Sequence, residues 1–436
     1  MGQHVLVINR FDSELGRYHA YIDHQANAVA YITTEAGAHP IDQEQAETVF
    51  TVEDLANWED VIGRSHQIVH QFGAFDHVIA LSEFDLELGA RLREVLDVPG
   101  PTPDDIRRVR DKVTMKRLVS EAGLRAPRFI VVDSPGSVRR FVEGSGFPVV
   151  LKPRDGWDSQ GVILVRSEHA LDEVLATQAL AGYECEEYVA GEMYHVDGLA
   201  QDGTVRVVRA SRLLATCLDF ALGTPFGSVS NDDADLERRL ASYAQRVVNA
   251  LQIGTSAFHL EVFRTPDAMP AVGAAPSEHD DLVFLEIGAR VGGAQIPYIW
   301  RQVYRLDLVE SWVRMLMGEN PVLPRIDHAP AAGYLLMPEP PVRPCRVLGV
   351  TPLIQRIPGM YAELLPAPGK VLDGTGGCKE TGGTYRFRAA TSRQVERAIR
   401  RVVAEYRLDY EPLLPEEQGP PRAPERSGRV QALTLQ

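Results

Sequence analysis

The sequence predicts a protein of several domains that combine α/β and α+β architecture. The chain has 436 residues, which is too many for one ordinary hydrophobic core. Apolar runs alternate with helix-compatible segments in the N-terminal quarter, whereas short strand patterns and turn residues dominate from residue 183 onward. We therefore expect a parallel α/β domain first, followed by strand-rich domains with a cleft between them.

The N-terminal domain is predicted from three apolar runs, HVLVIN at 4–9, AVAYIT at 28–33 and DHVIALS at 76–82. Helix-compatible segments separate and follow them, which is the βαβ order of a small parallel sheet. The first run is not followed by G-x-G-x-x-G, so the sequence does not support a dinucleotide site there. The prolines of VPGPTPDD at 98–105 indicate a junction, and we place the first domain at 1–104.

The composition argues against several classes of partner. A formal net charge of −15, without a local cluster of Lys and Arg, repels nucleic acid and anionic membrane surfaces. Cys185, Cys217, Cys345 and Cys378 stand far apart without a C-x-x-C motif, which predicts neither a zinc site nor a disulfide framework. No signal-peptide pattern is present, and no apolar run approaches the roughly 20 residues that span a membrane. We expect a soluble protein of the reducing cytoplasm.

The segment FPVVLKPRDGWDSQGVILVRS at 147–167 predicts a hairpin with a long tip, residues 154–161. Lys152 lies in the incoming strand, and Gly156 and Gly161 leave backbone N–H groups of the tip uncrowded. Such a loop can close over phosphates as a flap. The alternative is an ordinary flexible tip beside a lysine that extends to solvent from a sheet edge.

Two further strand patterns each contain a single carboxylate, FHLEVF with Glu261 and FLEIGAR with Glu286. A carboxylate buried in an apolar strand requires a partner, because an unpaired buried charge is costly. Each could meet an arginine at the sheet edge. On adjacent strands, the two would instead form an oxygen-ligand site for Mg²⁺, and the nearby lysine and glycine loop favour that interpretation.

Taken together, these features resemble the ATP-grasp superfamily. Over residues 105–320 the chain has Lys112 in a helix, Lys152 before the Gly-rich loop, the segment ECEEYVAGE, and the paired strand glutamates followed by ARVGG. The resemblance implies an ATP-grasp fold, in which ATP binds between two α+β subdomains, with an N-terminal parallel α/β domain and a C-terminal β-rich domain beside them. The resemblance also implies the bounds of the remaining domains. The first ATP-grasp subdomain, with the flap, is expected at 105–185, and the second, with the metal glutamates, at 186–325. A β-rich domain is expected at 326–412, followed by a disordered tail at 413–436.

The resemblance also implies the roles of individual residues. Arg290 would steady an acyl phosphate, and Lys152 would act beside it on the ATP phosphates. Glu261 and Glu286 would hold Mg²⁺, with Mn²⁺ as an alternative. The implied ATP-binding residues are Lys112, Lys152, Gly156, Ser159, Gly161, Glu186, Glu187, Tyr188, Val189 and Glu192.

The sequence departs from the superfamily pattern at two positions. Met193 stands where many relatives have the glutamate that holds the ribose, and Glu192 lies one residue earlier. Gly288 stands where many relatives have an asparagine that ligates a second metal ion. Which residue holds the ribose, and whether one or two Mg²⁺ ions bind, are therefore left open.

The segment after the metal glutamates narrows the expected reaction. Biotin carboxylases are similar up to this point but continue with a segment like TRIQVEH, whereas this chain has ARVGGAQIPYI. Gly292 and Gly293, followed by an amphipathic helix, are more similar to carboxylate–amine ligases of the L-amino acid ligase type. The resemblance therefore implies that a carboxylate, expected to belong to an amino acid, is activated as an acyl phosphate and joined to an amine, with release of ADP and phosphate.

Three alternatives and the substrate identity stay open. The protein could transfer an amino acid to a carrier-protein thiol, bind ATP without ligase chemistry, or act as a phosphotransferase. Glu83, at the carboxyl end of a predicted parallel strand, could pair with a substrate ammonium or be simply solvent-exposed. Substrate contacts are also expected from Arg290, Gly292 and Gly293, while His195 could be a packed strand residue. Small-molecule substrates are expected, and a homodimer is not excluded.

Overall fold

The structure of the chain is a computed structural model. The longest helix among the described residues is Ala234–Leu251, which is amphipathic. The described residues are 2–156, 159–269, 271, 273, 275–326, 328–374, 381–413 and the backbone of 433–435. Within these segments, none of the helices combines the length and the apolar character needed to span a membrane.

The N-terminal domain is built on a parallel sheet. Its elements are β1 His4–Asn9, β2 Ala28–Thr33, α1 Glu35–Ala38, β3 Thr48–Thr51, α2 Trp58–Phe72, β4 His77–Ala80 and α3 Leu86–Leu96, with short 3-10 helices at Glu14–Gly16 and Tyr18–Ala20. The strand order is β3-β2-β1-β4, and every pair is parallel. The predicted α/β domain is therefore present.

Strand β1 explains how this domain attaches to the rest of the chain. Successive side chains of a strand point to opposite faces, and both faces of β1 are buried. Leu6 and Ile8 pack in the core of the N-terminal domain itself. Val5 and Val7 belong to a second core that includes Trp300, a residue of the central part of the chain. One face of the parallel sheet is thus packed against the central domain.

The next segment forms a small antiparallel sheet covered by helices. Its elements are α4 Pro103–Arg108, α5 Lys112–Glu121, β5 Phe129–Val131, α6 Pro135–Ser145, β6 Val149–Pro153, β7 Ile163–Val165, α7 Glu168–Thr177 and β8 Tyr183–Glu187. The strands lie in the order β7-β6-β8-β5. Pro103 at the first turn and the reciprocal cap between Thr102 and Asp105 explain why α4 starts there.

A larger antiparallel sheet forms the body of the molecule. Its elements and the helices around it are β9 Glu192–Gln201, β10 Thr204–Leu213, α8 Cys217–Ala221, β11 Phe226–Ser230, α9 Ala234–Leu251, β12 Ser256–Arg264, β13 Leu282–Gly288, α10 Ile296–Gln302, α11 Leu308–Leu316, β14 Ala331–Met337, β15 Cys345–Val350, β16 Met360–Leu364, β17 Val371–Leu372, β18 Gly383–Ala389, α12 Ser392–Glu405 and β19 Leu408–Pro412. The sheet has eight strands in the order β13-β12-β9-β10-β11-β14-β18-β16. A separate sheet has the order β17-β15-β19.

The C-terminal region differs from the expected arrangement in two respects. Strands β14, β18 and β16, from the predicted domain 326–412, extend the sheet of the preceding domain because β14 pairs with β11. The tail at 413–436 was expected to be disordered. Leu433–Leu435 instead forms a strand, β20, that pairs in parallel with β7, while 414–432 lies outside the described residues.

Candidate active site

A cavity of about 330 Å³ lies between the small antiparallel sheet and the eight-stranded sheet. Twelve of the predicted site residues line it, namely Lys112, Lys152, Gly156, Ser159, Glu186, Glu187, Tyr188, Val189, Glu261, Glu286, Arg290 and Gly293. Residues more than a hundred positions apart in sequence therefore meet at one site, as the resemblance implied. Gly161, Glu192, Gly292 and Glu83 are outside this lining.

The strand alternation explains why Glu192 is outside. Adjacent residues of a strand point to opposite faces, and in β9 it is Met193 that lines the cavity. The side chain of Glu192 is half exposed and lies near Arg212. The structure therefore does not support Glu192 as the ribose ligand.

Lys112 joins the loop at the flap to one of the metal glutamates. Asp111 caps α5, so Lys112 is its first residue, and the backbone N–H of Lys112 donates to the carbonyl of Arg154. Its ammonium Nζ donates to the Gly156 carbonyl over 2.6 Å and lies 3.2 Å from Glu286 Oε2. Lys112 is thus placed to act on any anion held between flap and glutamates.

Lys152 and Glu186 belong to a buried ion cluster that the sequence reading did not include in full. Lys152 Nζ lies 2.7 Å from Glu186 Oε1 and 3.8 Å from Glu184 Oε1. The fully buried Lys116 contacts both glutamates, at 2.6 Å in the case of Glu184. Burial opposes the charge on Lys152, but the carboxylates of Glu186 and Glu184 outweigh burial and raise its pKa above the usual value.

The cluster changes the interpretation of Glu186. Glu186 was expected among the ATP-binding residues, and its carboxylate is bound by two ammonium groups of the protein. Burial raises the pKa of Glu186, but Lys116 and Lys152 overcome burial and hold this pKa below its usual value. Glu186 therefore lines the cavity as an ionised group that positions Lys152. The signal for the missing members was present, because Lys116 lies one helical turn from Lys112 and Glu184 shares a strand face with Glu186.

The end of β8 and the two residues after it, 187–189, bring both polar and apolar side chains to the cavity. Glu187 accepts a hydrogen bond from the Arg128 side chain over 2.7 Å, so its carboxylate already has a partner within the protein. Tyr188 is half exposed, and Val189 lines the cavity beside the apolar Val150 and Leu164. An apolar slot suits a flat aromatic base, and the lining fits a nucleotide in this respect.

The metal glutamates face each other across two paired strands. Glu261 and Glu286 are directly opposite in the β12–β13 register, and His195 is opposite Glu261 in the β9–β12 register. Directly opposite residues share one face of a sheet. Burial raises the pKa of Glu286, but Lys112 and Lys152 outweigh it, so the pKa lies below the usual value and the group is anionic. Two such oxygen donors on the cavity face fit Mg²⁺.

Gly288 has a structural explanation. A Cβ built on Gly288 would lie 3.4 Å from Arg290 Nε, so the guanidinium lies beside the position that an asparagine side chain would use. The space beside Gly288 is therefore occupied by Arg290, and Glu261 and Glu286 are the candidate oxygen ligands for a metal ion.

Arg290 is held by Glu83 rather than standing alone. Its Nε donates to Glu83 Oε2 over 2.8 Å, and the other oxygen of Glu83 accepts from Arg110 over 2.6 Å. Glu83 follows β4 at the carboxyl edge of the parallel sheet, as predicted. Because both of its oxygens are bound by arginines, Glu83 positions Arg290, and the expected contact with a substrate ammonium is not what the geometry supports.

A polar chain on the same sheet was not recognised from the sequence. Ser228 Oγ lies 2.6 Å from His195 Nε2. Asp197 lies between His195 Nδ1, at 2.5 Å, and His259 Nδ1, at 2.7 Å. His259 Nε2 is 3.6 Å from Glu261 Oε1. The expectation that His195 is only a packed strand residue is therefore incomplete, since it is part of a chain that ends at a metal glutamate.

This chain also accounts for Gly292. A Cβ at Gly292 would collide with Asp197 Oδ1 and approach His259 Nδ1 to 2.9 Å, so glycine lets the backbone after Arg290 pass close over the chain. Burial lowers the pKa of His259, but Asp197 outweighs burial and raises it to about 9. The imidazole is thus cationic at neutral pH and adjoins Glu261.

The Glu83 contacts predict a pH-dependent contribution to stability. Burial raises the pKa of Glu83, but Arg290 and Arg110 outweigh it and lower the pKa from 4.5 to about 2. A depressed pKa in the folded state gives stability that is present above the unfolded pKa and is lost as pH falls toward the folded one. We expect Glu83→Gln to cost up to about 3 kcal/mol near pH 6 and less near pH 3, measured by urea denaturation. Glu94→Gln, an exposed pair with Arg91, is the control. An equal cost of Glu83→Gln at both pH values would contradict the assignment.

The flap prediction can be tested by hydrogen exchange. Gly161 ends the tip at a φ of 70°, a left-handed conformation that favours glycine, and Trp157 and Asp158 lie outside the described residues. If the tip closes over phosphates, exchange at 154–161 should slow with an ATP analogue and Mg²⁺. The turn at Asp202 and Gly203 is the internal control. Nucleotide binding without protection at 154–161 would make the tip an ordinary hairpin turn.

Comparison with known proteins agrees with this geometry. Residues 109–293 match the family model described as the ATP-grasp domain, so the chain contains an ATP-grasp domain. It is 22% identical over 356 residues to the L-arginine-specific L-amino acid ligase of Bacillus subtilis, which covers 78% of this chain and 82% of that relative. It is 26% identical over 237 residues to dapdiamide A synthase of Enterobacter agglomerans, covering 51% of this chain and 52% of that protein.

Solved structures show the same fold. The crystal structure of L-amino acid ligase from Bacillus licheniformis superposes with a TM-score of 0.69 at 17% identity, covering 94% of this chain and 99% of that one. N5-carboxyaminoimidazole ribonucleotide synthetase from Thermotoga maritima gives a TM-score of 0.64 at 15% identity, with 94% and 100% covered. The predicted ATP-grasp fold and the predicted similarity to L-amino acid ligases are confirmed.

Proposed function

We propose that the protein is an ATP-dependent ligase that activates the carboxylate of an amino acid as an acyl phosphate and joins it to an amine, releasing ADP and phosphate. The observation that carries this proposal is the placement of cations and carboxylates from two sheets around one cavity. Lys152 comes from the small sheet, Glu261 and Glu286 come from the eight-stranded sheet, and Lys112 and Arg290 come from segments beside them.

Each of these groups has a defined task in the proposed reaction. Lys112 and Lys152 supply fixed positive charge for the phosphates, and the Glu184 and Glu186 carboxylates hold Lys152 in place. Arg290 would bring its guanidinium charge to an acyl phosphate in an orientation that Glu83 fixes through Nε. Groups held in advance need no rearrangement as charge develops.

Glu261 and Glu286 would hold Mg²⁺, and Mn²⁺ would suit the same oxygen ligands. A bound ion of this kind neutralises phosphate charge as the bond to the γ-phosphate breaks. One structural neighbour, a biotin carboxylase domain from Hydrogenobacter thermophilus with a TM-score of 0.61, was solved with MgADP. This supports ATP and Mg²⁺ as the first choice of nucleotide and ion.

The relatives favour carbon–nitrogen ligation over the alternatives. The relatives and structural neighbours described above are amino acid ligases, a dapdiamide synthase and a ribonucleotide synthetase. The carrier-protein alternative has no support among them. A phosphotransferase or a nucleotide sensor would not need an arginine such as Arg290 held at the cavity by Glu83.

The cellular setting is part of the proposal. Cytoplasmic location fits the described cysteines, which form no disulfide with one another. A homodimer is suggested by the biotin carboxylase neighbour, whose structure is that of a domain dimer. Light scattering of the purified protein would decide its oligomeric state.

Phosphate release tests the proposed reaction class. We expect release from ATP and Mg²⁺ to be slow alone, to rise with particular L-amino acids, and to rise further with a second amino acid as acceptor. Each of the twenty amino acids should be supplied singly and in pairs. Release that ignores every carboxylate would contradict ligation and favour simple ATP hydrolysis or phosphotransfer.

A further inference from the structure

Arg386 is a buried guanidinium that forms no ion pair within the described part of the chain, and the Glu14 carboxylate acts on it only from beyond ion-pair distance. It is 6% exposed and lies on β18. Its Nε donates to the Gln295 side chain over 2.7 Å and its Nη1 to the Gln302 side chain over 2.8 Å. The guanidinium carbon lies 4.3 Å from the centre of the Tyr298 ring. All of these partners are neutral, although buried charges are normally paired.

The sheet register places Arg386 on the cavity face. Leu213 is opposite Ser228, Ser228 is opposite Tyr334, and Tyr334 is opposite Arg386 across β10, β11, β14 and β18. Directly opposite residues project to the same side. Leu213 and Tyr334 line the cavity, and Ser228 contacts His195. The row therefore continues the cavity face as far as Arg386.

Chain connectivity also brings Arg386 near the reaction centre. Gln295, which accepts from Arg386, follows Arg290 by five residues, and Gly293 and Ala294 between them line the cavity. Five residues span at most about 18 Å even when fully extended. A guanidinium bound to Gln295 is thus within reach of a small molecule that contacts Arg290.

Two hydrogen-bond donors in this region have no acceptor among the described residues. The hydrogen bonds that Arg386 forms with the described residues are donated by Nε and Nη1, and Nη2 donates none of them. The buried Tyr361 Oη, on the neighbouring strand β16, also has no hydrogen-bond partner there. Burial raises the pKa of Tyr361 to about 12 against the opposing charge of Arg386, so the phenol is a donor at neutral pH. A cation and a hydroxyl donor without an acceptor suit a carboxylate.

We infer that Arg386 receives the carboxylate of the amine substrate, so that the acceptor is an α-amino acid rather than a simple amine. This inference rests on the proposed function. It divides the site into an Arg290 end, where the first carboxylate is activated, and an Arg386 end, where the second substrate is oriented. If Arg386 bound no substrate carboxylate, its role would be only to join β18 to α10.

The test compares each active acceptor amino acid with its C-terminal amide, which keeps the amine and lacks the negative charge. The unaltered enzyme should prefer the acid by about a hundredfold in kcat/KM. In Arg386→Met the KM for the acid should rise about a hundredfold, because a charged partner is lost, and the preference over the amide should disappear. The KM for ATP, and hydroxamate formation from the first amino acid with hydroxylamine, should stay within about twofold.

Three further variants keep the test decisive. Arg386→Lys should restore part of the preference, because it keeps the charge but not the planar fork. Tyr361→Phe removes only the hydroxyl and should raise the KM for the acid but not for the amide. Arg388→Met, an exposed arginine two residues along β18 that also lies over Tyr361, should change neither.

The outcomes separate the two proposals. Hydroxamate formation by the unaltered enzyme, together with a preference for the acid that survives in Arg386→Met, would overturn the assignment of Arg386 alone. An equal rise of KM for acid and amide in Arg386→Met, or a parallel loss of hydroxamate, would show that Arg386 only joins the strand to the helix. No hydroxamate from the unaltered enzyme with any amino acid would contradict the proposed function, and the acceptor assignment with it.

Discussion

Glu286→Gln is expected to lower turnover about a thousandfold while the protein stays folded. Glu286 is opposite Glu261 on the cavity face and is held anionic by Lys112 and Lys152. A glutamine has a similar shape but offers a neutral oxygen, which is a poorer ligand for a divalent cation. Lost charge stabilisation of several kcal/mol in the transition state corresponds to about three powers of ten in rate.

The measurement is turnover as a function of Mg²⁺ concentration, with urea denaturation as the test of folding. Glu286→Gln should require more Mg²⁺ as well as turn over more slowly. Glu411→Gln is the matched control, because Glu411 is a strand carboxylate on β19 that pairs with Arg346, away from the cavity. Near-native turnover of Glu286→Gln with an unchanged Mg²⁺ dependence would remove the metal role.

Lys116→Met is expected to give a large loss of stability, about 3–5 kcal/mol in the free energy of unfolding. Lys116 is fully buried and contacts both Glu184 and Glu186. Its removal leaves two buried carboxylates with Lys152 as the remaining ammonium of the cluster. An uncompensated buried charge is the physical cause of the expected loss.

Urea denaturation of three variants separates charge from packing. Arg117→Met, at an exposed position of the same helix, should cost less than about 0.5 kcal/mol. Adding Glu184→Gln to Lys116→Met should recover part of the loss, because it neutralises one of the two carboxylates. A cost of Lys116→Met below about 1 kcal/mol, or no recovery in the double variant, would contradict the role of this cluster.

Much of the fold and part of the site follow from local pattern. The apolar runs of the N-terminal quarter became β1, β2 and β4 because their side chains are buried on both faces of a parallel sheet. Glu261 and Glu286 were predictable as a pair because each interrupts an apolar strand. Strand alternation sets the residues that share a face with each glutamate, and the register of β12 and β13 then places the two opposite each other.

The partners of the charged groups could not be predicted in the same way. That Glu83 binds Arg290 depends on how the N-terminal sheet packs against the central domain, across 207 positions of sequence. The contact of Arg386 with Gln295 likewise joins β18 to the segment before α10, 91 positions away. No local pattern encodes such distances. The polar chain from Ser228 to His259 was missed for the same reason, since it joins three strands.

The central claim is that ATP is cleaved through an acyl phosphate of a carboxylate substrate. It is tested most directly by incubating the protein with ATP, Mg²⁺ and a panel of amino acids, with hydroxylamine as the nucleophile, and identifying both products. Lys152, Glu261, Glu286 and Arg290 are placed around the expected position of the terminal phosphate, so attack there should give ADP. The account predicts an amino acid hydroxamate formed in equal amount with ADP, whereas AMP in place of ADP, or ADP without hydroxamate, would contradict it.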